Sequence, residues 1–157
     1  MSDIVYKELL DNEENLAGDF LNTNDDGFAY LALLAMDQDH VFTLGAFHED
    51  KMIGLFQASC VEEDADVITI AVSNSYRRKS VAKNLWDNFL KLRSEIETVI
   101  LEVSVKNTQA ISFYEKIGFS EHGVRHSYYK DLKTGEITDA CVMVYNRSDN
   151  LVGEIVF

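Results

Sequence analysis

The sequence predicts an α/β fold, a mixed central β-sheet of about seven strands with helices on both faces. Three observations carry that expectation. Short runs of β-branched and aromatic residues recur at strand length, other stretches repeat apolar residues at steps of three and four, and the two patterns alternate as β-α-α-β-β-β-α-β-α-β-β. With 46% hydrophobic content over 157 residues, the chain can bury one adequate core, so a single domain over residues 1–157 is expected.

The chain contains no proline, so its punctuation comes from Gly, Asn and Asp. Ile4 to Leu10 reads as a first strand and Glu13 to Leu21 as a short helix, stopped by the polar run Asn22 to Gly27. A second helix is expected over Phe28 to Met36. Val41 to Phe47 and Met52 to Val61 flank His48-Glu-Asp-Lys51, whose composition and length suit a hairpin turn. Ile68 to Val72 is a nearly unbroken β-branched run, the signature of a strand buried on both faces in mid-sheet. From Val81 the period changes: Val81, Leu85, Phe89, Leu92 and Ile96, with Ala82 and Trp86 beside them, form one stripe of a long helix.

Beyond that helix, Val99 to Val105 sets Val99, Leu101, Val103 and Val105 on one face against Ile100, Glu102 and Ser104 on the other. Asn107 is placed to cap a helix whose stripe is Ala110, Ile111, Tyr114 and Ile117, and Gly118-Phe119 closes it with a left-handed glycine and an apolar contact. Gly123 to Lys130 and Ile137 to Tyr145 form a last hairpin through 131–136. The apolar tail from Leu151 to Phe157 adds a strand within the chain, pairs with a neighbouring copy, which leaves a homodimer open, or frays.

Charge and composition exclude several classes. The formal net charge of -13 argues against a nucleic-acid partner and favours encounter with a cation such as an amine or basic peptide. No run approaches the roughly 20 apolar residues needed to span a bilayer, and the N-terminus has no basic and apolar leader, so no membrane partner and a cytoplasmic location are expected. Cys60 and Cys141 lack metal-ligand spacing and a neighbouring His; they read as buried, inert thiols, with no disulfide and no metal.

Against this acidic background, Arg77, Arg78, Lys79 and Lys83 gather where the strand at Ile68 passes into the helix at Val81. The first N–H groups of a helix have no internal acceptor and carry partial positive charge, so an anion is the natural guest. Phosphate binding is one reading, and ordinary surface cations on a helix the other. Arg77-Arg78-Lys79-Ser80-Val81-Ala82 resembles the (Gln/Arg)-x-x-Gly-x-(Gly/Ala) loop of the GNAT superfamily of acyl-CoA-dependent N-acyltransferases, with Ser80 where that family usually has Gly. Leu101-Glu-Val-Ser-Val-Lys-Asn107 and Ala110-Ile-Ser-Phe-Tyr-Glu-Lys-Ile-Gly-Phe119 resemble a second GNAT segment, closest to that of the ribosomal-protein-alanine N-acetyltransferases. Val124-Arg-His-Ser-Tyr-Tyr129 resembles the Arg-x-x-Tyr-Tyr stretch of the same subfamily.

The resemblance implies a GNAT-like fold and transfer of an acetyl group from acetyl-CoA to a primary amine, foremost a protein N-terminal α-amino group. It also implies roles. The backbone of Ile70, Ala71 and Val72 would pair with the pantetheine arm; Arg77, Arg78, Lys79, Ser80, Val81, Ala82 and Lys83 would hold the pyrophosphate, and Asn107 would touch the cofactor. Glu102 would be the base and Tyr114 the acid that protonates the leaving sulfur. Tyr128 and Tyr129 would line a peptide groove. Each has a plainer counterpart: Asn107 is also an N-cap, Tyr114 also a stripe aromatic, and the Tyr pair also ordinary residues of an edge hairpin. The chain lacks the Pro-Trp pair that alanine N-acetyltransferases often carry near their first helix, so a small amine or a protein lysine stands as an alternative acceptor. A non-catalytic CoA-binding module stands as the alternative to an enzyme.

Overall fold

The structure, a computed structural model, describes residues 3–10, 13–24, 40–130 and 133–150, without the side chains of residues 14, 21–24 and 129. The helix expected over Phe28 to Met36 and the tail from Leu151 lie outside the described residues. Seven strands form one mixed sheet in the order β1-β2-β3-β4-β5-β7-β6. They are β1 (Val5–Glu8), β2 (Val41–His48), β3 (Lys51–Val61), β4 (Asp64–Val72), β5 (Thr98–Ser104), β6 (Ser120–Lys130) and β7 (Ile137–Asn146). Four helices are described: α1 (Glu14–Asn24), α2 (Val81–Leu92), α3 (Thr108–Lys116) and the short α4 (Arg147–Asn150). The chain divides into two compact units, residues 1–61 with 67–94, and residues 62–66 with 95–157.

In the first unit, β1, β2 and β3 form an antiparallel meander. The hairpin between β2 and β3 turns on Glu49 and Asp50, both left-handed at φ 52° and 66°, the geometry that matches the twist of the flanking strands. Six successive residues of β2 and seven of β3 are buried, so these strands are covered on both faces. Phe42, Phe56, Trp86 and Phe89 stack with centroids 4.7–6.3 Å apart. Each ring contributes on the order of 2 kcal/mol by leaving water. A second cluster joins Leu9, Ala17, Phe20, Phe47, Met52 and Leu55, with Ala71 against it. Gly54 sets how closely α2 approaches the sheet: a Cβ there would meet Val81 at 3.1 Å and Leu85 at 3.2 Å.

Two expectations for this unit are corrected. The α2 stripe is Val81, Leu85, Trp86 and Phe89; Leu92 is 52% exposed, and the helix stops before Ile96. Trp86 takes the inward place because its ring completes the aromatic stack, and the N–H of Arg93 closes the last turn on the Phe89 carbonyl. The strand expected at Ile68 begins at Asp64, and Val67–Val72 are half-buried rather than covered on both faces. Its ladder to β5 runs only through Asp64↔Thr98, Ala65↔Val99 and Asp66↔Ile100.

In the second unit, β5 alternates as its sequence dictates, with Val99, Leu101 and Val103 buried and Ile100, Glu102 and Ser104 half-buried. Its antiparallel partner β7 buries Ala140, Cys141, Met143 and Tyr145. Asn107 caps α3 through Oδ1, which accepts the Ala110 N–H at 3.1 Å. Gly118 follows at φ 111°, and buried Phe119 stands 5.6 Å from both Tyr114 and Tyr145. β6, the edge strand, starts at Ser120 rather than Gly123 and is interrupted twice, between Glu121 and Gly123 and between Arg125 and Tyr129. Cys60 and Cys141 are free and buried, and burial raises the Cys141 thiol above its ordinary value.

Candidate functional site

The basic turn of the first unit follows β4 directly. Ser73 anchors it, its N–H donating to the Ile53 carbonyl at 2.9 Å, and a single 3-10 turn over Asn74–Tyr76 follows. Tyr76 is fixed from two sides: its hydroxyl lies 2.6 Å from His48 Nδ1, and Lys79 Nζ sits 5.3 Å over its ring. Arg77 Nε donates to the Val72 carbonyl at 3.3 Å. Arg78 and Ser80 are both left-handed, at φ 63° and 61°.

Ser80 occupies the N-cap of α2, yet its hydroxyl makes no cap bond, and the first turn holds no acidic residue. The amides of Val81, Ala82 and Lys83 therefore begin a helix whose first internal acceptor, the Ser80 carbonyl, serves Asn84 at 2.9 Å. Val81 sends its side chain into the core and leaves its amide at the helix start. Arg77, Arg78 and Lys79 are exposed. Lys83 instead pairs with Asp87 at 2.8 Å along the helix. Partial positive charge, three exposed cations and a helix start free of carboxylates suit a diphosphate, so the residues fit the phosphates of coenzyme A.

The second unit carries the other cluster. Glu102 projects from the half-buried face of β5, its side chain 19% exposed, and Oε1 lies 2.9 Å from Arg125 Nη1 on β6. The Tyr128 phenol hydrogen-bonds to the same carboxylate, and this bond, ahead of burial, raises the phenol above its ordinary value. The Arg125 guanidinium covers the Tyr128 ring at 5.1 Å. Asp66, on the β4 segment paired with β5, is raised above its ordinary value first by partial burial and then by Glu102 and Asp64. Tyr114 is half-buried on α3, held edge-on between Phe113 at 5.5 Å and Phe119 at 5.6 Å.

Of the residues expected at the site, Glu102 and Tyr128 stand in one group around Arg125, Arg77 to Ser80 form one turn, and Val81 to Lys83 open α2 directly after it. Asn107 is the N-cap, which gives its side chain a structural duty. Tyr129 is placed by its backbone alone, opposite Thr138; its side chain lies outside the described part. Ile70, Ala71 and Val72 are half-buried on β4. Two neighbours of Glu102 were not foreseen: Arg125 stood inside the Arg-x-x-Tyr-Tyr stretch and was readable as a charge near the Tyr pair, whereas Asp66 carried no signal. Among the described residues no group of three or more His, Cys, Asp or Glu could hold a metal ion, and no helix is long and apolar enough to cross a membrane.

This sheet order defines an α/β class with one mixed seven-stranded sheet, and comparison with known proteins gives the family. The acetyltransferase (GNAT) family matches residues 7–119, more than half of the chain and parts of both units; the chain belongs to that family. It is 38% identical over 80 residues to an N-alpha-acetyltransferase of Sulfurisphaera tokodaii, covering 49% of this chain and 48% of that one. Over 97 residues it is 30% identical to a [ribosomal protein bS18]-alanine N-acetyltransferase of Salmonella typhimurium, covering 60% and 64%. The chain thus spans between about half and just under two thirds of these relatives' length.

Two solved structures show the same fold. The ribosomal-protein-S18-alanine N-acetyltransferase of Escherichia coli matches with a TM-score of 0.80 at 21% identity, over 92% of this chain and 94% of that one. Arabidopsis thaliana NAA60 in complex with acetyl-CoA matches with a TM-score of 0.77 at 17% identity, over 93% and 99%.

Proposed function

We propose that the chain is an acetyl-CoA-dependent N-acetyltransferase whose acceptor is a primary amine, foremost a protein N-terminal α-amino group. The two units are read as parts of one acetyltransferase domain over residues 1–157. The observation that carries the reading is Glu102, a half-buried carboxylate fixed by Arg125 on the second unit of a GNAT chain. Acetyl-CoA supplies the acetyl group as a thioester. The amides of Val81, Ala82 and Lys83, with Arg77, Arg78, Lys79 and Ser80, hold its phosphates; Ile70, Ala71 and Val72 offer backbone to its pantetheine arm, and Asn107 completes its contacts.

The amine must lose a proton before it can attack, because an ammonium has no lone pair. Glu102 accepts that proton, directly or through water. An α-amino group titrates near roughly 8 and a lysine near about 10.4, so an N-terminus asks less of the base at neutral pH. Tyr114 gives its phenolic proton to the departing sulfur. Tyr128 and Tyr129 border the acceptor. N-terminal acceptors are favoured by the relatives, one an N-alpha-acetyltransferase and one acting on a ribosomal-protein alanine. A small amine or a protein lysine is the second reading, favoured by the missing Pro-Trp pair.

The test is release of free thiol from acetyl-CoA with a panel of amines: peptides beginning with Ala, lysine peptides and polyamines. Thiol release with the N-terminal peptides above the others supports the reading; binding of acetyl-CoA without transfer to any amine overturns it in favour of a CoA-binding module. Glu102→Gln is expected to lose about a hundredfold in turnover, most at low pH where the amine is charged, and Tyr114→Phe about tenfold with unchanged CoA affinity. A Tyr114→Phe protein of normal turnover removes the acid role.

A further inference from the structure

The β6–β7 ladder holds a surplus that the proposed chemistry has not used. Gly123↔Val142, Val124↔Cys141 and Arg125↔Ala140 run in regular antiparallel register, and the next pair is Tyr129↔Thr138. Four steps on β6 therefore match two on β7, so the edge strand bulges outward over His126, Ser127 and Tyr128. At its centre Ser127 is left-handed at φ 55°, a conformation that costs a residue with a Cβ about 1 kcal/mol or more. A single side chain holds it there. Asp139 Oδ1 accepts the Ser127 N–H at 2.8 Å, and Oδ2 lies 3.2 Å from His126 Nδ1. These bonds, the backbone one foremost, hold the Asp139 carboxyl below its ordinary value, so it is ionised at neutral pH.

The bulge decides where Tyr128 can reach. Glu102 stands opposite Val142 on β7, and Arg125 stands opposite Ala140, two residues away and on the same face. Arg125 thus meets Glu102 by ordinary register. In an uninterrupted ladder Tyr128 would fall opposite Ile137, five residues from Val142 and so on the other face. Inside the bulge that alternation is interrupted, and Tyr128 lies beneath the Arg125 guanidinium at 5.1 Å, close enough to the Glu102 carboxylate to interact with it.

We infer that Asp139 is a positioning residue for the proposed reaction: by pinning the bulge at Ser127 it keeps Tyr128 packed against Arg125 and beside the Glu102 carboxylate that Arg125 holds. The inference rests on Glu102 being the base. A carboxylate held by one partner only swings away from the line along which it takes the amine proton, and misplacement on the order of 1 Å is enough to slow proton transfer severely.

The experiment compares Asp139→Ala, Asp139→Asn, Glu102→Gln and the Asp139→Ala/Glu102→Gln double variant, with acetyl-CoA and an Ala-initiated peptide, together with the titration of Tyr128. That titration is followed by NMR of 13C-labelled tyrosine and assigned with Tyr128→Phe. Asp139→Ala is expected to lose about tenfold in kcat with KM for acetyl-CoA within about twofold, and Tyr128 to titrate closer to an ordinary tyrosine. Asn keeps an acceptor for the Ser127 N–H and is expected to stay within about threefold of wild type. On the Glu102→Gln background, Asp139→Ala should cost less than about twofold, because the group it serves is already gone.

Unchanged titration of Tyr128 in Asp139→Ala, or an equal loss of turnover on both backgrounds, overturns the inference. If Asp139→Ala does not fold, Ser127→Val attacks the same bulge with Asp139 intact, since a β-branched residue resists positive φ; it must reproduce both losses, and normal behaviour overturns the inference. Should the wild-type chain transfer no acetyl group, the proposed function falls, and the Tyr128 titration alone still decides whether Asp139 sets the grip.

Discussion

Ser80 holds a backbone conformation, φ 61° and ψ 20°, that glycine adopts freely and a residue with a Cβ does not. Its hydroxyl recovers nothing by capping α2. Ser80→Gly is therefore expected to stabilise the folded chain by about 0.5–1 kcal/mol, after allowing for the freer glycine in the unfolded state, and to leave acetyl-CoA affinity equal or tighter. Thermal unfolding and calorimetric titration check this, and a lowered Tm would mean that the serine contributes a bond worth more than its strain. Asp66 gives a second case at this scale. Its folded carboxyl is raised by partial burial, Glu102 and Asp64, so the charged form is disfavoured in the fold and its stability cost is present above the folded value, fading as the pH falls through it. Asp66→Asn should raise Tm at pH 7, and the gain should vanish below the ordinary carboxyl value of 3.8. A gain that persists in acid would trace to packing instead. Single residues were legible where period or motif exposed them: the face of Glu102 follows from strand alternation alone. Its surroundings were not, because Tyr128 sits in a bulge of the edge strand that Asp139 pins, and no spacing rule foretells an extra pair of residues there.

Elements were legible where their ends carry distinctive chemistry. Asn107 at the start of α3 and Gly118 at its end announced that helix, and the left-handed Gly118 makes its own test. A Cβ there would fall 2.9 Å from Tyr145 Cε2 and collide with Asn150 Oδ1, besides straining the backbone at φ 111°. Gly123 is also left-handed, at φ 147°, but a Cβ there meets nothing within 4 Å. Gly118→Ala should accordingly cost about 2–3 kcal/mol against about 1 for Gly123→Ala, read by denaturant unfolding at constant m-value. Equal losses would show that backbone strain, with no part played by Tyr145 and Asn150, sets the position. Elements were misread where polarity and period conflict. The β-branched run that marks β4 starts only at Ile68, past the charged Asp64 and Asp66, although Ala65 between them is buried and all three pair with β5. At the end of α2 a period of 3.6 continued to Ile96 on paper, while Ile96 is buried beyond the helix, its carbonyl accepting Arg147 Nε at 2.7 Å.

For the whole molecule the governing quantity is the excess of 27 acidic over 14 basic side chains. A net charge of -13 on 157 residues attracts a cationic acceptor over several ångströms and repels an anionic one, and in water near 0.15 M salt that field decays over about 8 Å. The anionic cofactor would meet the opposite field locally, because Arg77, Arg78 and Lys79 stand exposed within one turn, closer than that decay length. A cationic acceptor meets the acidic surface as a whole. Ala-initiated peptides carrying two lysines downstream are therefore expected to show kcat/KM about tenfold above the same peptides with two glutamates at low salt, through KM rather than kcat. Near 1 M salt, where the decay length is about 3 Å, the gap should close to about twofold. Steady-state kinetics over a salt series with both peptides checks this. A gap that survives high salt would place the discrimination in a direct contact with a named side chain, and an acidic peptide used as well as the basic one at low salt would show that the net charge serves solubility and has no part in choosing the acceptor.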